Sequence, residues 1–220
     1  MEVKKIILLL FPPIINKFNF TKTEKEAFFD MGELKKNLLK EQSAVGLSYE
    51  EACKLTEFDY SFQIKNFIQN NFNSRLILVN YPNSQQQFDS LTNELAQEGK
   101  KIDNIVLLSI SNYELILDIQ KDYLICPLCE TIHKKEEMIK AGDKISCPCS
   151  NQYQFSLEDV KKFSDFIIGH HLKSTELIIK KFLADNRGSV ASIIRLDINK
   201  KEEVFNGEVQ QNLLRVIESL

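Results

Sequence analysis

The chain opens with an apolar run, VKKIILLL at residues 3–10, which leads directly into FPPIINKFN at residues 11–19. The first run is typical of a buried β-strand, because Ile and Leu follow one another without polar alternation. The second has the outline of a phosphate-binding loop, in which glycines let backbone N–H groups approach phosphate. The glycine positions of such a loop are here occupied by Phe11, Ile14, Asn16 and Phe18. Since bulky residues disfavour positive φ, we predict a strand-to-helix turn without anion-binding amides.

Further apolar runs alternate with amphipathic segments along the rest of the chain. Strand-like runs occupy residues 75–79, 104–110 and 192–197, and a shorter candidate occupies residues 27–30. Helical patterns cover residues 49–55, 84–98 and 157–182, with Ser48 and Ser156 as candidate N-caps of the first and last. Strands separated by helices of this length predict right-handed crossovers and a doubly wound α/β sheet.

Several short segments, taken in order, resemble the adenylate kinase family over roughly residues 3–217. The first loop fits that family's GPPGAGKGT with only the prolines and the lysine retained. The other segments that carry the resemblance are DMGELKK at 30–36, RLILVNYPNS at 75–84, CPLC at 126–129 and STELIIKK at 174–181. No single motif is intact, but their order and spacing are specific.

The resemblance implies a P-loop NTPase-like fold with a doubly wound, parallel, five-stranded sheet and two appendages. The core α/β domain would comprise residues 1–30, 61–121 and 157–220. A helical insert like the family's monophosphate-binding segment would cover residues 31–60, and a zinc-ribbon-like lid would cover residues 122–156.

Two closely spaced cysteine pairs lie in the lid segment. Cys126 and Cys129 are followed, after seventeen residues, by Cys147 and Cys149. Paired thiolates on facing turns suit tetrahedral, structural Zn²⁺. The second pair is CxC where the family has CxxC, so Ser150 stands at the expected fourth position. We take Cys149 as the fourth ligand and His133 as the reserve; unpaired thiols are the alternative, and disulfides are disfavoured in a non-secreted chain.

The arginines that clamp phosphates in adenylate kinases have no counterparts here. The chain has four arginines, Arg75, Arg187, Arg195 and Arg215, and none falls at a clamp position of the family. By resemblance, those positions are taken by Lys36, Asn83, Ile119, Tyr123, Phe155 and Phe166. Val79 stands at the aspartate that organises the metal ion, and Asn19 stands at the loop hydroxyl. Phosphoryl transfer depends on such electrostatic clamping, so no catalytic residue is assigned.

Lys17 is what remains of the phosphate cradle. It either still contacts a β-phosphate or is a solvated lysine at a helix start, and the altered residues around it favour the second interpretation. We therefore treat Lys17 as a vestigial cofactor-binding residue. The sequence disfavours ATP and Mg²⁺ as ligands.

Charge and composition exclude some classes of protein. With 28 basic and 31 acidic residues the formal charge is −3, so nucleic acid is not an expected partner. Seven glycines are few for a phosphate-handling chain. No apolar run reaches the ~18 residues of a membrane span. With no signal peptide visible, an intracellular, cytoplasmic location is the default expectation, and cilium and mitochondrion remain open.

These observations predict a catalytically inactive, adenylate-kinase-like protein that is a structural or interaction subunit of a larger complex. Its partners would be other protein subunits, without direct membrane insertion. The alternatives are a weak or atypical nucleoside monophosphate kinase and an adaptor that binds through its zinc lid. The apolar replacements either fill the nucleotide crevice or form a docking groove, and the sequence leaves both open.

Overall fold

The structure is a computed structural model of the chain. It describes residues 5–15, 26–44, 62–71, 74–110, 112–128, 130, 132–142, 144–147, 150–188, 190–205 and 207–220. The strands are β1 Ile6–Leu10, β2 Glu26–Asp30, β3 Arg75–Val79, β4 Asn104–Ile110, β5 Tyr123–Ile125, β6 Ile132–Lys134, β7 Ile139–Ala141, β8 Lys144–Cys147, β9 Ser150–Ser156 and β10 Ser192–Ile198. The helices are α1 Met31–Ala44, α2 at 62–70, α3 Gln85–Gln97, α4 Tyr113–Asp122, α5 Leu157–Asp185, α6 Lys201–Phe205 and α7 Gly207–Ser219.

Five parallel strands form the main sheet in the order β10-β4-β1-β3-β2. The predicted α/β class with a five-stranded parallel sheet flanked by helices is therefore confirmed. The candidate strand at residues 27–30 is β2, and the helices predicted at 84–98 and 157–182 are α3 and α5. The helix predicted at 49–55 and its cap Ser48 lie outside the described residues.

The central strand β1 is buried on both faces. Ile7 and Leu9 belong to the apolar cluster on one face of the sheet, whereas Ile6, Leu8 and Leu10 belong to the cluster on the other. Successive side chains of a strand point to opposite faces, so a strand covered by helices on both sides needs apolar residues at every position. This requirement explains the unbroken run that begins the chain.

The segment predicted as a lid folds into two small antiparallel sheets. Strands β5 and β6 form a hairpin, and β7, β8 and β9 form a three-stranded sheet. Leu124, Met138 and Ile145 are buried together with Val160 of α5, and Phe155 packs against them. The lid segment thus shares an apolar cluster with the helix that returns the chain to the core.

Helix α5 begins directly after the lid. The hydroxyl of its N-cap Ser156 accepts a hydrogen bond from the Asp159 N–H at 3.0 Å, as the sequence predicts. The helix is 29 residues long, and Val160 packs in the lid cluster while Ile178 and Phe182 pack beneath the main sheet. In the described part of the chain, no helix is both long and apolar enough to cross a membrane.

Candidate functional site

A cleft lies at the carboxyl ends of β1, β2 and β3, where doubly wound sheets bind their ligands. The volume accessible to water in this cleft is about 70 Å³, which is room for a few water molecules. The described residues that line it are Phe11, Pro13, Ile15, Asp30, Met31, Gly32, Asn80, Asn83, Glu130, Ile167, His170 and His171. We call this cavity the crevice.

The loop after β1 fills space beside the crevice. The Ile15 N–H donates to the Pro12 carbonyl at 2.9 Å, which closes a tight turn. Phe11, Ile14 and Ile15 are each less than 5% exposed. They share one apolar cluster with residues of the lid hairpin and of α5, namely Ile125, Ile132 and Ile168. The sequence leaves open whether the apolar replacements fill the nucleotide crevice or form a docking groove. In this part of the loop they fill space inside the protein.

Asn80 fixes the loop to the end of β3. Its side-chain Oδ1 accepts from the Phe11 N–H at 3.0 Å, and its own N–H donates to the Leu9 carbonyl at 2.8 Å. Its φ of 51° lies in the left-handed region, which asparagine tolerates better than most residues. Asn80 thus combines a left-handed backbone conformation with a hydrogen bond to the loop after β1. The sequence motifs gave no indication of this role.

The charged groups that line the crevice are carboxylates. Asp30 accepts from the Glu33 N–H at 3.0 Å and so caps the first turn of α1. Glu130, in the lid segment, is hydrogen-bonded to the ammonium of Lys35 on α1. Among the described lining residues there is no lysine or arginine. A carboxylate at this position disfavours a phosphate group by direct charge repulsion, and the charge of Glu130 is offset by the Lys35 ammonium.

The Lys35–Glu130 ion pair joins the lid segment to α1 across the crevice. Each side chain is only about one-fifth exposed, so the pair is less screened than a surface ion pair.

Replacing Glu130 by Gln should lower the free energy of lid opening by about 1 kcal/mol. Amide exchange that requires this opening should then be about fivefold faster. We would measure hydrogen exchange of residues 132–134. The control is Glu158→Gln, which removes an exposed ion pair with Lys162 on α5. Equal exchange in the two variants would refute a latch.

His171 is held neutral at the rim of the crevice. Burial, and to a lesser extent the neighbouring charge of His170, lower the pKa of His171 to about 4. Its Nε2 and the Thr175 hydroxyl form a hydrogen bond of 3.2 Å on α5. At neutral pH this imidazole therefore adds no positive charge for a phosphate.

The lowered pKa of His171 predicts an acid-sensitive fold. Between pH 6.5 and pH 4 the unfolded chain binds a proton that the folded chain excludes, so the free energy of unfolding falls as the pH falls. The contribution is about 1–3 kcal/mol, fully present above pH 6.5. His171→Gln should reduce the loss of stability between pH 7 and pH 4.5 in denaturant titrations. His170→Gln, at an exposed position, should leave it nearly unchanged. Parallel curves for wild type and His171→Gln would contradict this.

The positions at which the resemblance would place phosphate ligands have different environments. Val79 and Ile119 are buried in the core, and Tyr123 stacks on Phe205 with ring centroids 4.2 Å apart. Phe155 packs in the lid cluster, whereas Phe166 is 65% exposed. Lys36 is half-buried, and Asn83 is exposed at the crevice with its N–H bonded to Gln87 Oε1 at 2.9 Å.

The four arginines lie away from the crevice lining. Arg75 is at the amino end of β3, opposite the crevice edge, where it pairs with Glu26 at 3.3 Å and donates to the Ile217 carbonyl at 2.8 Å. Arg187 follows α5, Arg195 is in β10 and Arg215 is in α7. Lys17 lies outside the described residues.

Part of the predicted metal centre can be located. Cys126 is fully buried at the end of β5, and its sulfur accepts a hydrogen bond from the Leu128 N–H at 3.3 Å. The Glu130 N–H donates to the Cys126 carbonyl at 2.8 Å, which closes the turn. An N–H aimed at sulfur stabilises a thiolate, so this turn fits a zinc ligand.

The remaining candidate ligands are only partly described. Cys147 ends β8, where it is paired in register with Ser150 of β9. His133 is on β6, paired with Leu124. Cys129 and Cys149 lie outside the described residues, and within the described ones no three metal-binding side chains are grouped. The side chain of Cys147 is also outside the described ones, so Cys126 is the one cysteine of the proposed set whose side chain is described.

Comparison with known proteins adds no family assignment. The chain matches no protein-family model, and no curated protein is significantly similar to it. What the fold defines is an α/β protein with a parallel five-stranded sheet, a crevice at the carboxyl ends of three of its strands and two small antiparallel sheets.

Proposed function

We propose that this protein is a catalytically inactive, adenylate-kinase-like protein that serves as a structural or interaction subunit of a larger assembly. The observation that carries the proposal is the lining of the crevice. Asp30 and Glu130 line it, Glu130 is paired with the Lys35 ammonium, and no described lining residue is a lysine or arginine. A phosphoryl-transfer site requires the opposite charge.

The packing of the loop after β1 also supports the proposal. A working phosphate loop presents backbone N–H groups to its ligand. Here the Phe11 N–H is used by Asn80 and the Ile15 N–H by Pro12. Both donors are therefore satisfied within the protein, and the side chains of Phe11 and Ile15 are buried instead.

Within this proposal the lid holds a structural zinc ion. The ligands would be Cys126, Cys129, Cys147 and Cys149, with Ser150 and His133 as alternatives for the fourth position. The buried Cys126 sulfur with its N–H donor is the observation in favour. The ion would cross-link the segment that begins at the end of β5 to the segment that begins at the end of β8, and with four protein ligands it would leave no position open for catalysis.

Calorimetric titration with Mg²⁺-ATP and with a diadenosine polyphosphate tests the proposal. We expect no binding of either, meaning a dissociation constant above about 1 mM. Zinc measured on the same sample should be about one ion per chain. Binding in the micromolar range would overturn the proposal and favour the nucleoside monophosphate kinase, and a kinase assay on AMP would follow.

A charge variant shows whether the carboxylates are responsible. Glu130→Lys places a cation at the crevice, and Lys140→Glu makes a charge change on exposed β7 as a control. If only electrostatics excluded nucleotide, Glu130→Lys would gain weak ATP binding. If the filled loop also excludes nucleotide, as proposed, neither variant should bind ATP.

A further inference from the structure

The strand β10 ends the main sheet with one edge unpaired in the described part of the chain. It pairs with β4 alone among the described strands. The Ser192 N–H donates to the Asp103 carbonyl at 3.3 Å, on the side of β4. Because backbone groups alternate along a parallel strand, those of Ile193, Arg195 and Asp197 point to the outer edge. The outer edge of this seven-residue strand can act as a template for another strand, and at its end the Asp197 carbonyl also accepts a hydrogen bond from Asn199 Nδ2 at 3.4 Å.

The side chains of β10 differ on its two faces. Arg195 and Asp197, both exposed, are on one face. Ile194, Leu196 and Ile198 are on the other, where Leu196 and Ile198 border an open cleft of about 210 Å³ next to α7. The cleft is also lined by Asp197, Glu203 and Glu208, so its surface is partly apolar and partly acidic.

We propose that β10 pairs antiparallel with β10 of a second copy of this chain, about a twofold axis that passes beside Leu196. In this register Arg195 of each copy is opposite Asp197 of the other. Ile194 is opposite Ile198, and Leu196 is opposite its own equivalent. The two sheets then form one continuous sheet of ten strands. The proposal does not depend on whether the protein is catalytically inactive.

Backbone geometry and charge together select this register. The outward-pointing residues have odd numbers, so a twofold register must place odd residues opposite odd residues. A twofold axis at Leu196 meets this condition and makes two cross-strand pairs of opposite charge, which stabilise a sheet. A twofold axis at Arg195 also meets it, but there the two arginines lie opposite each other. A shift by one residue would turn the apolar side chains to the wrong face.

The same edge favours a second copy over an unrelated peptide. The edge carries both Arg195 and Asp197, two residues apart, so a twofold axis at Leu196 forms two identical ion pairs between the copies. An isologous interface requires this kind of self-complementary surface. Asp197 is also held in place, because the Ser109 hydroxyl on β4 donates to its carboxylate. Charged residues on an edge strand can also prevent pairing. In that case the wild-type chain would be a monomer, which sedimentation distinguishes from a dimer.

Charge exchange tests the pairing. Sedimentation of the wild-type chain at about 100 μM should give twice the 25.5 kDa chain mass. Arg195→Asp and Asp197→Arg should each raise the dimer dissociation constant at least about tenfold, because like charges then face each other. The double variant R195D/D197R should restore it. Lys140→Asp, an equal charge change on the lid, should have no effect. A monomeric wild type, or a double variant no better than the singles, would overturn the proposal.

Cross-linking tests the register separately. Leu196→Cys places two thiols across a non-hydrogen-bonded pair, with Cα atoms about 4.5 Å apart, within disulfide range. Mild oxidation should convert this variant to a covalent dimer on a non-reducing gel. Ile194→Cys, which faces Ile198 of the other copy, should remain at the wild-type level. Cross-linking of Ile194→Cys in preference to Leu196→Cys, or of neither in a dimeric protein, would rule out this pairing.

Discussion

Replacing Phe11 and Ile14 by glycine is expected to unfold the protein rather than to create a phosphate-binding loop. Both side chains are buried in the cluster that joins the loop to the lid and to α5. Truncating a buried Phe or Ile costs about 2–5 kcal/mol at each position, and glycine adds about 0.5–1 kcal/mol of chain entropy. The sum is comparable to the whole stability of a typical domain, about 5–15 kcal/mol.

Denaturant unfolding of single variants measures the effect. Phe11→Ala should lower the free energy of unfolding by about 3–5 kcal/mol. Phe166→Ala, which truncates a 65% exposed phenylalanine on α5, should change it by less than about 0.5 kcal/mol. Because the chemistry of the two substitutions is the same, the difference isolates the contribution of burial.

A glycine variant that stays folded would give the more informative contradiction. If F11G/I14G unfolded near the wild-type midpoint and bound Mg²⁺-ATP, the apolar side chains would be the barrier to an otherwise intact site. We expect neither result, since the carboxylates of Asp30 and Glu130 line the same crevice in either case.

The second large effect concerns Cys126 and the lid. Cys126→Ser should reduce the zinc content from about one ion per chain to near zero, because structural zinc requires its full set of ligands. Zinc binding supplies about 10–16 kcal/mol in isolated zinc-finger peptides. The lid segment also packs with Val160 of α5 in an apolar cluster, so we expect a smaller loss of at least about 3 kcal/mol in its free energy of opening.

Metal analysis and hydrogen exchange of residues 123–125 and 132–134 read out this prediction. The control is Cys53→Ser, which removes a thiol outside the proposed set and should leave the zinc content unchanged. A chelator should reproduce the exchange pattern of Cys126→Ser in the wild-type chain. Zinc-free wild-type protein with a protected lid would mean that the apolar cluster alone holds the lid together.

Apolar patterning accounted for most of the sheet. The run that ends at Leu10 predicted a strand buried on both faces, and it is the central strand with a separate apolar cluster on each side. The N-cap of α5 was also predictable, because Ser156 precedes an amphipathic run and acts on an N–H three residues away. These features depend on neighbours in sequence, so period and residue type are sufficient to find them.

The crevice could be anticipated only in part. Loss of the glycines indicated a loop without anion-binding amides, because that depends on local backbone conformation. The bond from Phe11 to Asn80 joins residues 69 apart, and the Lys35–Glu130 pair joins residues 95 apart. No pattern in the sequence signals either contact, although an asparagine directly after a strand is a known sign of a turn with positive φ.

The sequence by itself determined that the chain forms a parallel α/β sheet and that its first loop is apolar. The tertiary structure decided where those apolar side chains go, which carboxylates line the crevice, how His171 comes to have a lowered pKa beside it and which strand ends the sheet. The physical reason is that period and propensity act over a few residues. Burial, charge environment and strand order are instead set by elements that meet only when the crossovers have brought distant segments together.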